Sequence, residues 1–155
     1  NRNMRFKFAQ IVVLIFALLA WMPMPQAAQD GGNQKLTSLT ASAKGQGSIT
    51  VTEAGAAEKK RPLYSVVVTL RANGDAEIVV ITDMQLFARG RWTKPADLSQ
   101  GIVLKITGGT VAGNAKGSGK LFLRPDGKSI DKLNFEARST ARSKVAVEFV
   151  AENTN

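Results

Sequence analysis

Tyr64-Ser-Val-Val-Val-Thr-Leu-Arg-Ala-Asn-Gly-Asp-Ala-Glu-Ile-Val-Val-Ile81 is two runs of β-branched residues on either side of Asn73-Gly74. Val, Ile and Thr suit a pleated surface, and Asn-Gly between two such runs is a strong short-range hairpin signal. The stretch therefore reads as a strand over Tyr64–Leu70, a turn, and a partner strand over Ala76–Ile81 with Ile78 and Val80 on one face.

The same period of two runs outward in both directions. Toward the C-terminus come Leu86–Trp92, a loop holding Pro95, and Gly101–Ile106 with Ile102, Leu104 and Ile106 inward. Gly108-Gly109 ends that run. Lys120–Arg124 is a short strand closed by the turn tripeptide Pro125-Asp126-Gly127. Ile130–Ala137 and Lys144–Ala151 complete the set, with Val145, Val147 and Phe149 alternating with Ala146, Glu148 and Val150. Toward the N-terminus the alternation persists back to Leu36, interrupted at Glu53–Pro62, which reads as a loop or a short helical turn. No segment after residue 35 carries a helical stripe. About seven or eight short strands, bounded by turn residues, predict an all-β domain over 36–155: a small antiparallel β-barrel or β-sandwich.

The first 28 residues follow a different logic. Arg2, Arg5 and Lys7 make a basic start, and Ile11–Met22 is a run of twelve apolar residues. Pro23, Pro25 and the small pair Ala27-Ala28 follow. Basic region, apolar core and small-residue site are the order of a secretory signal peptide. The run is also short of the about 20 residues that a membrane-spanning helix needs. A signal helix over 1–28, with Met4 as the start and cleavage after Ala28, implies export to the periplasm or beyond the cell. Contact with the membrane is then limited to the signal segment before cleavage. Residues 29–35, Gln-Asp-Gly-Gly-Asn-Gln-Lys, read as a flexible tail. Without residues 1–28 the chain has 127 residues, with 18 basic against 12 acidic side chains and a net charge of +6.

Composition removes much chemistry. The chain contains no histidine and no cysteine. That excludes Ser-His-Asp and Cys-His catalysis, histidine- or cysteine-ligated zinc, thiol redox couples and iron–sulfur sites. The carboxylates are scattered beside turns and at outward strand positions. Gly113-Asn-Ala-Lys-Gly-Ser-Gly-Lys120 superficially resembles a phosphate-binding loop, but Asn114 stands where that pattern needs glycine and Leu121 where it needs Ser or Thr. It reads instead as a glycine-rich hairpin connection. Asp126-Gly-Lys-Ser129 lacks the alternate acids of a calcium loop and reads as a turn. The expectation is a protein that is not an enzyme, with no catalytic residue, metal site or cofactor.

Three basic groupings remain as candidates for binding. Lys59-Lys60-Arg61 is contiguous; Arg89 and Arg91 share a strand face with Phe87; Arg138, Arg142 and Lys144 flank the last turn. Convergence of such groups would attract an anionic envelope polymer. Trp92 falls on the face opposite Arg89 and Arg91, with Leu86, Ala88 and Gly90. Core packing is the simpler reading, and in a barrel the same face could take a small apolar ligand.

From Ser65 to Leu133 the cadence includes Gly90-Arg-Trp92, Ile102-Val-Leu104 and Leu121-Phe-Leu-Arg-Pro-Asp-Gly-Lys128. This resembles the small lipocalin-like barrels of bacterial envelope proteins, the NlpE N-terminal and META-type domains, over about half of the chain after residue 28. The resemblance implies an envelope β-barrel of binding or structural type. The chain departs from it in lacking a lipid-anchored cysteine and a Cys-x-x-Cys pair, so no copper or redox role carries over. Three functional expectations follow: a domain that binds a small ligand or envelope partner, a structural or assembly protein whose strand edges pair into a homo-oligomer, and a polyanion binder.

Overall fold

The computed structural model describes residues 36–111, 114–139 and 142–153. The expected signal segment and tail lie outside them. Eight strands form a closed antiparallel barrel in which each strand pairs with the next: β1 (Leu39–Thr52), β2 (Lys59–Leu70), β3 (Asp75–Ile81), β4 (Gln85–Thr93), β5 (Ile102–Gly108), β6 (Lys116–Leu123), β7 (Ile130–Arg138) and β8 (Lys144–Ala151). β8 returns to pair with β1, which resolves barrel against sandwich. One 3₁₀ turn, Leu98–Gln100, lies between β4 and β5, capped by the Asp97 carboxylate on the Ser99 N–H at 2.8 Å.

The hairpin centred on Asn73-Gly74 forms as the β-branched runs predict, with Val66 opposite Val80 and Val68 opposite Ile78. The Asn73 side chain accepts from the Asp75 N–H at 3.0 Å, closing the turn. Strand alternation sends Val66, Val68, Leu70, Ile78, Val80, Ile102, Leu104, Ile106, Leu121, Leu133, Phe135, Val147 and Phe149 into one continuous core. The outward positions carry charge even at mid-strand, as Lys105, Lys120, Glu136 and Glu148 show. Apolar inside and polar outside is the reverse of a barrel built for lipid.

Two stretches depart from the sequence expectation. Lys59–Pro62 is not loop or helical turn but the start of β2, paired with Val51 back to Ser48 of β1. Among the described residues no strand pairs with this part of β2 on its other side, since the β3 ladder begins only at Ser65. Pro62 lies on that open stretch, where a strand tolerates a missing N–H. Lys116–Lys120 is likewise not part of a hairpin connection but the first half of β6, opposite Arg138–Asn134 of β7. Gly117 and Gly119 take inward positions there. A Cβ on Gly117 would collide with the Glu136 carbonyl oxygen, and one on Gly119 with the Asn134 carbonyl oxygen and Phe135. The strands pass too closely for any side chain, and Phe135 fills the space that the glycines leave. A glycine at a barrel bend, covered by an aromatic from the next strand, is how a small barrel achieves its curvature.

Candidate functional site

Up-and-down winding collects alternate connections at each end of the barrel. One rim holds the β1–β2, β3–β4, β5–β6 and β7–β8 connections, and the basic residues concentrate there. The register explains how. Lys116 of β6 is directly opposite Arg138 of β7. Arg138 is directly opposite Lys144 of β8, and Lys144 is directly opposite Thr52 of β1. Lys59 of β2 follows one position on, opposite Val51. The three cations of β6–β8 all stand on the outer face, since their neighbours Gly117, Ala137 and Val145 point inward. The result is a collar of positive side chains running across neighbouring strands.

Arg142, in the β7–β8 connection, adds a charge to this rim and adopts φ 66°. A left-handed backbone at an arginine costs energy that glycine or asparagine would avoid. The turn is closed by the Ser139 N–H donating to the Ser143 carbonyl at 2.9 Å and the Arg142 N–H donating to the Ser139 carbonyl at 3.2 Å.

Carboxylates are present but do not neutralise the row. Glu136, one turn of the pleat away on β7, is bonded to the Lys144 ammonium at 2.8 Å. That hydrogen bond, helped by the charges of Lys144 and Arg138, holds its carboxyl below the ordinary value against the opposing effect of desolvation. Arg61 pairs with Asp83 of the β3–β4 turn at 3.2 Å. Among the described residues Lys116, Arg138, Lys59 and Lys60 have no ion-pair partner.

Arg89 and Arg91 do share an outward face with Phe87, as their spacing predicts, but their register sets them against acids. Arg89 is opposite Glu77, and Arg91 is opposite Asp75 and bonded to it at 2.6 Å. Arg91 also donates to the Asn73 carbonyl at 2.9 Å, so it fastens the β2–β3 turn. These arginines, with Arg71, line a shallow outer cleft of about 370 Å³. Phe87 is half-buried on the outer wall beside Val79. Lys59–Arg61 lies at the opposite end of the barrel from Arg91, so the first two basic groupings do not converge. It is the third grouping, with Lys116, that shares a rim with Lys59 and Lys60.

Trp92 is half-buried on the inward side of β4, opposite Leu104. Its Nε1–H donates to the Arg71 carbonyl at 2.8 Å, and its backbone N–H to the Gly74 carbonyl at 2.9 Å. It therefore stoppers the barrel at the Asn73-Gly74 rim with its polar atom committed to the protein.

Lys116 was hidden in sequence by the glycines around it. The signal that could have found it is the alternation Lys116, Ser118, Lys120 with Gly117 and Gly119, a strand pattern in which glycine stands for the inward residue. Among the described residues no group of three or more Asp or Glu side chains converges as a metal site would require. No family model matches this chain, and no curated protein or solved structure matches it significantly.

Proposed function

We propose that this chain is an exported, non-enzymatic envelope or extracellular domain that binds an anionic polymer through the basic collar. One observation carries the reading: Lys116, Arg138 and Lys144 occupy directly opposed positions on three neighbouring strands. Like charges in register destabilise a sheet, and folds ordinarily separate them or place acids between them. The Arg89–Arg91 face of this same barrel does the latter, with Glu77 and Asp75. A positive row left standing on one rim suits a partner that supplies the missing negative charge. Phosphate or sulfate groups repeated along a polymer do so, and release counterions as they bind.

Two further features favour the outer surface as the binding face. The barrel interior is occupied by its own side chains: Phe135, Phe149, Leu63, Leu70, Ile78, Ile102, Leu104 and Leu121 are all essentially inaccessible. The absence of histidine and cysteine from the sequence leaves little with which to build a nucleophile–base pair.

The test is a titration of the domain with long-chain polyphosphate at a series of salt concentrations. Affinity is expected to fall steeply as salt rises. The double variant K116Q/R138Q should lower the log–log slope by about one to two, and R89Q/R91Q should leave it unchanged. Binding insensitive to salt, or a slope that the collar variant does not move, overturns the reading.

A further inference from the structure

β1 serves two partners in succession. Gly45–Thr52 pairs with β8, whereas Leu39–Lys44 pairs with β2 alone. The last β8-side bond runs from the Glu152 N–H to the Lys44 carbonyl at 2.9 Å. β8 ends at Ala151, and the Arg124 guanidinium donates to the Glu152 carbonyl just after it.

In an antiparallel strand the N–H and C=O of one residue point to the same edge, and successive residues point to opposite edges. Lys44 faces the β8 side. Ser42 and Thr40 therefore face it as well, through the uninterrupted register from Leu39 to Lys44. Among the described residues neither has a partner on that side, since the β8 register on β1 runs only from Gly45 to Thr52. They present two donors and two acceptors at the spacing of a β ladder.

The Ser42 end of this edge borders a cleft of about 440 Å³, lined by Ser42 and Lys44 on one side and by Arg124, Ser129, Ile130 and Glu152 on the other. Native sheets usually protect a bare edge with proline, inward charge or a covering loop. Leu39-Thr-Ala-Ser-Ala43 has neither proline nor charge.

We infer that the Thr40–Ser42 edge of β1 is a strand-addition site for an extended peptide segment of another protein, one that carries a carboxylate. A polypeptide backbone supplies the alternating acceptors and donors that this edge lacks. The side-chain preference comes from charge: Lys44 and Arg124 bring two cations to the cleft against the single carboxylate of Glu152. The cleft is walled on its far side by the β6–β7 turn, so it receives one strand rather than the flank of a second barrel. The site is independent of the collar.

The experiment has two arms. First, hydrogen exchange on the free full-length chain should show the Thr40 and Ser42 amides exchanging at least 100-fold faster than that of Val68. Slow exchange would mean that the chain itself already covers the edge, and would overturn the inference. Second, a phage-displayed library of random octapeptides is selected on the wild-type protein and on S42P. Proline removes only the cleft-facing N–H, which the β1–β2 ladder does not use, and a strand edge accommodates it. Acid-containing peptides should be enriched on the wild type, lost on S42P, and should shift the Thr40 and Ser42 amide resonances when synthesised and titrated. R124E should reverse the preference to basic peptides, which keeps the test decisive where S42P fails to fold. No enrichment, equal enrichment on S42P, shifts confined to the collar, or self-association abolished by S42P would each overturn it.

Discussion

Arg138 of β7 stands directly opposite Lys144 of β8, cation facing cation across one rung of the barrel, and Lys116 extends the row on the other side. Cross-strand pairs are where a sheet gains or loses stability, and a like-charged rung loses it. Among the described residues the relief comes from Glu136, which reaches Lys144 from the adjacent outward position.

Relieving the row should therefore stabilise the fold while removing binding. Arg138→Gln is expected to gain a few tenths of a kcal/mol, up to about 1 kcal/mol, at low ionic strength. The gain should shrink as salt screens the rung. Thermal melts of the variant and wild type at low and high salt check this. A variant less stable than wild type at low salt would show that Arg138 is held by contacts other than its charge.

The inward glycines of β6 make a sharper prediction. Gly119→Ala places a methyl group against the Asn134 carbonyl and Phe135, where neither backbone nor ring can move aside without breaking the β6–β7 ladder. The expected cost is about 3 kcal/mol, the upper end for overpacking. Urea unfolding gives the number. A cost below about 1 kcal/mol would mean that the two strands can separate without penalty.

Trp92 is a structural stopper with a committed N–H, and Trp92→Phe separates the two roles. Phenylalanine keeps the apolar contact with the core but loses the bond to the Arg71 carbonyl. A loss of about 1 kcal/mol is expected for a hydrogen bond at a half-exposed rim. Unfolding followed by circular dichroism reads it directly. An unchanged melting temperature would leave Trp92 free for another role at that rim.

Acid should weaken the fold and mild alkali should not. Ser129, through its hydroxyl, holds the Asp126 carboxyl below its ordinary value, and the Lys128 and Ser129 N–H groups add to it. The Ser99 N–H does the same for Asp97, the Thr82 hydroxyl for Asp83, and Lys144 for Glu136. A carboxyl with a lowered folded-state value stabilises the fold above its unfolded value, near about 4, and that contribution fades as pH falls through the folded value. With no histidine in the chain, stability should be flat from about pH 5 to pH 8. Melting temperatures across that range and down to about pH 2 test it. Asp126→Asn should flatten the acid limb. A fall between pH 6 and pH 8 would contradict the assignment.

How much of this was legible beforehand depended on whether the signal was local. The Asn73-Gly74 hairpin and the inward sets of β3, β5 and β8 are carried by residues a few positions apart, and they read correctly. Lys59–Pro62 did not, because three charges and a proline look like a loop until Ser48–Val51 is known to lie alongside. Lys116 did not, because glycine carries no periodicity, and only the nearness of Glu136 and Asn134 explains why glycine is required.

By itself, then, the sequence determined that this is an all-β domain of alternating strands, without histidine or thiol chemistry, behind a segment that reads as an export signal. The tertiary structure alone decided which residues share a neighbourhood. Closure of β8 onto β1 aligned Lys116, Arg138, Lys144 and Lys59 around one rim, set Arg89 and Arg91 against acids, and left Thr40 and Ser42 with an open edge. The physical reason is register. A strand's own residues reveal which of its faces is apolar, but which residue of a distant strand stands opposite is settled by how the whole barrel packs and closes.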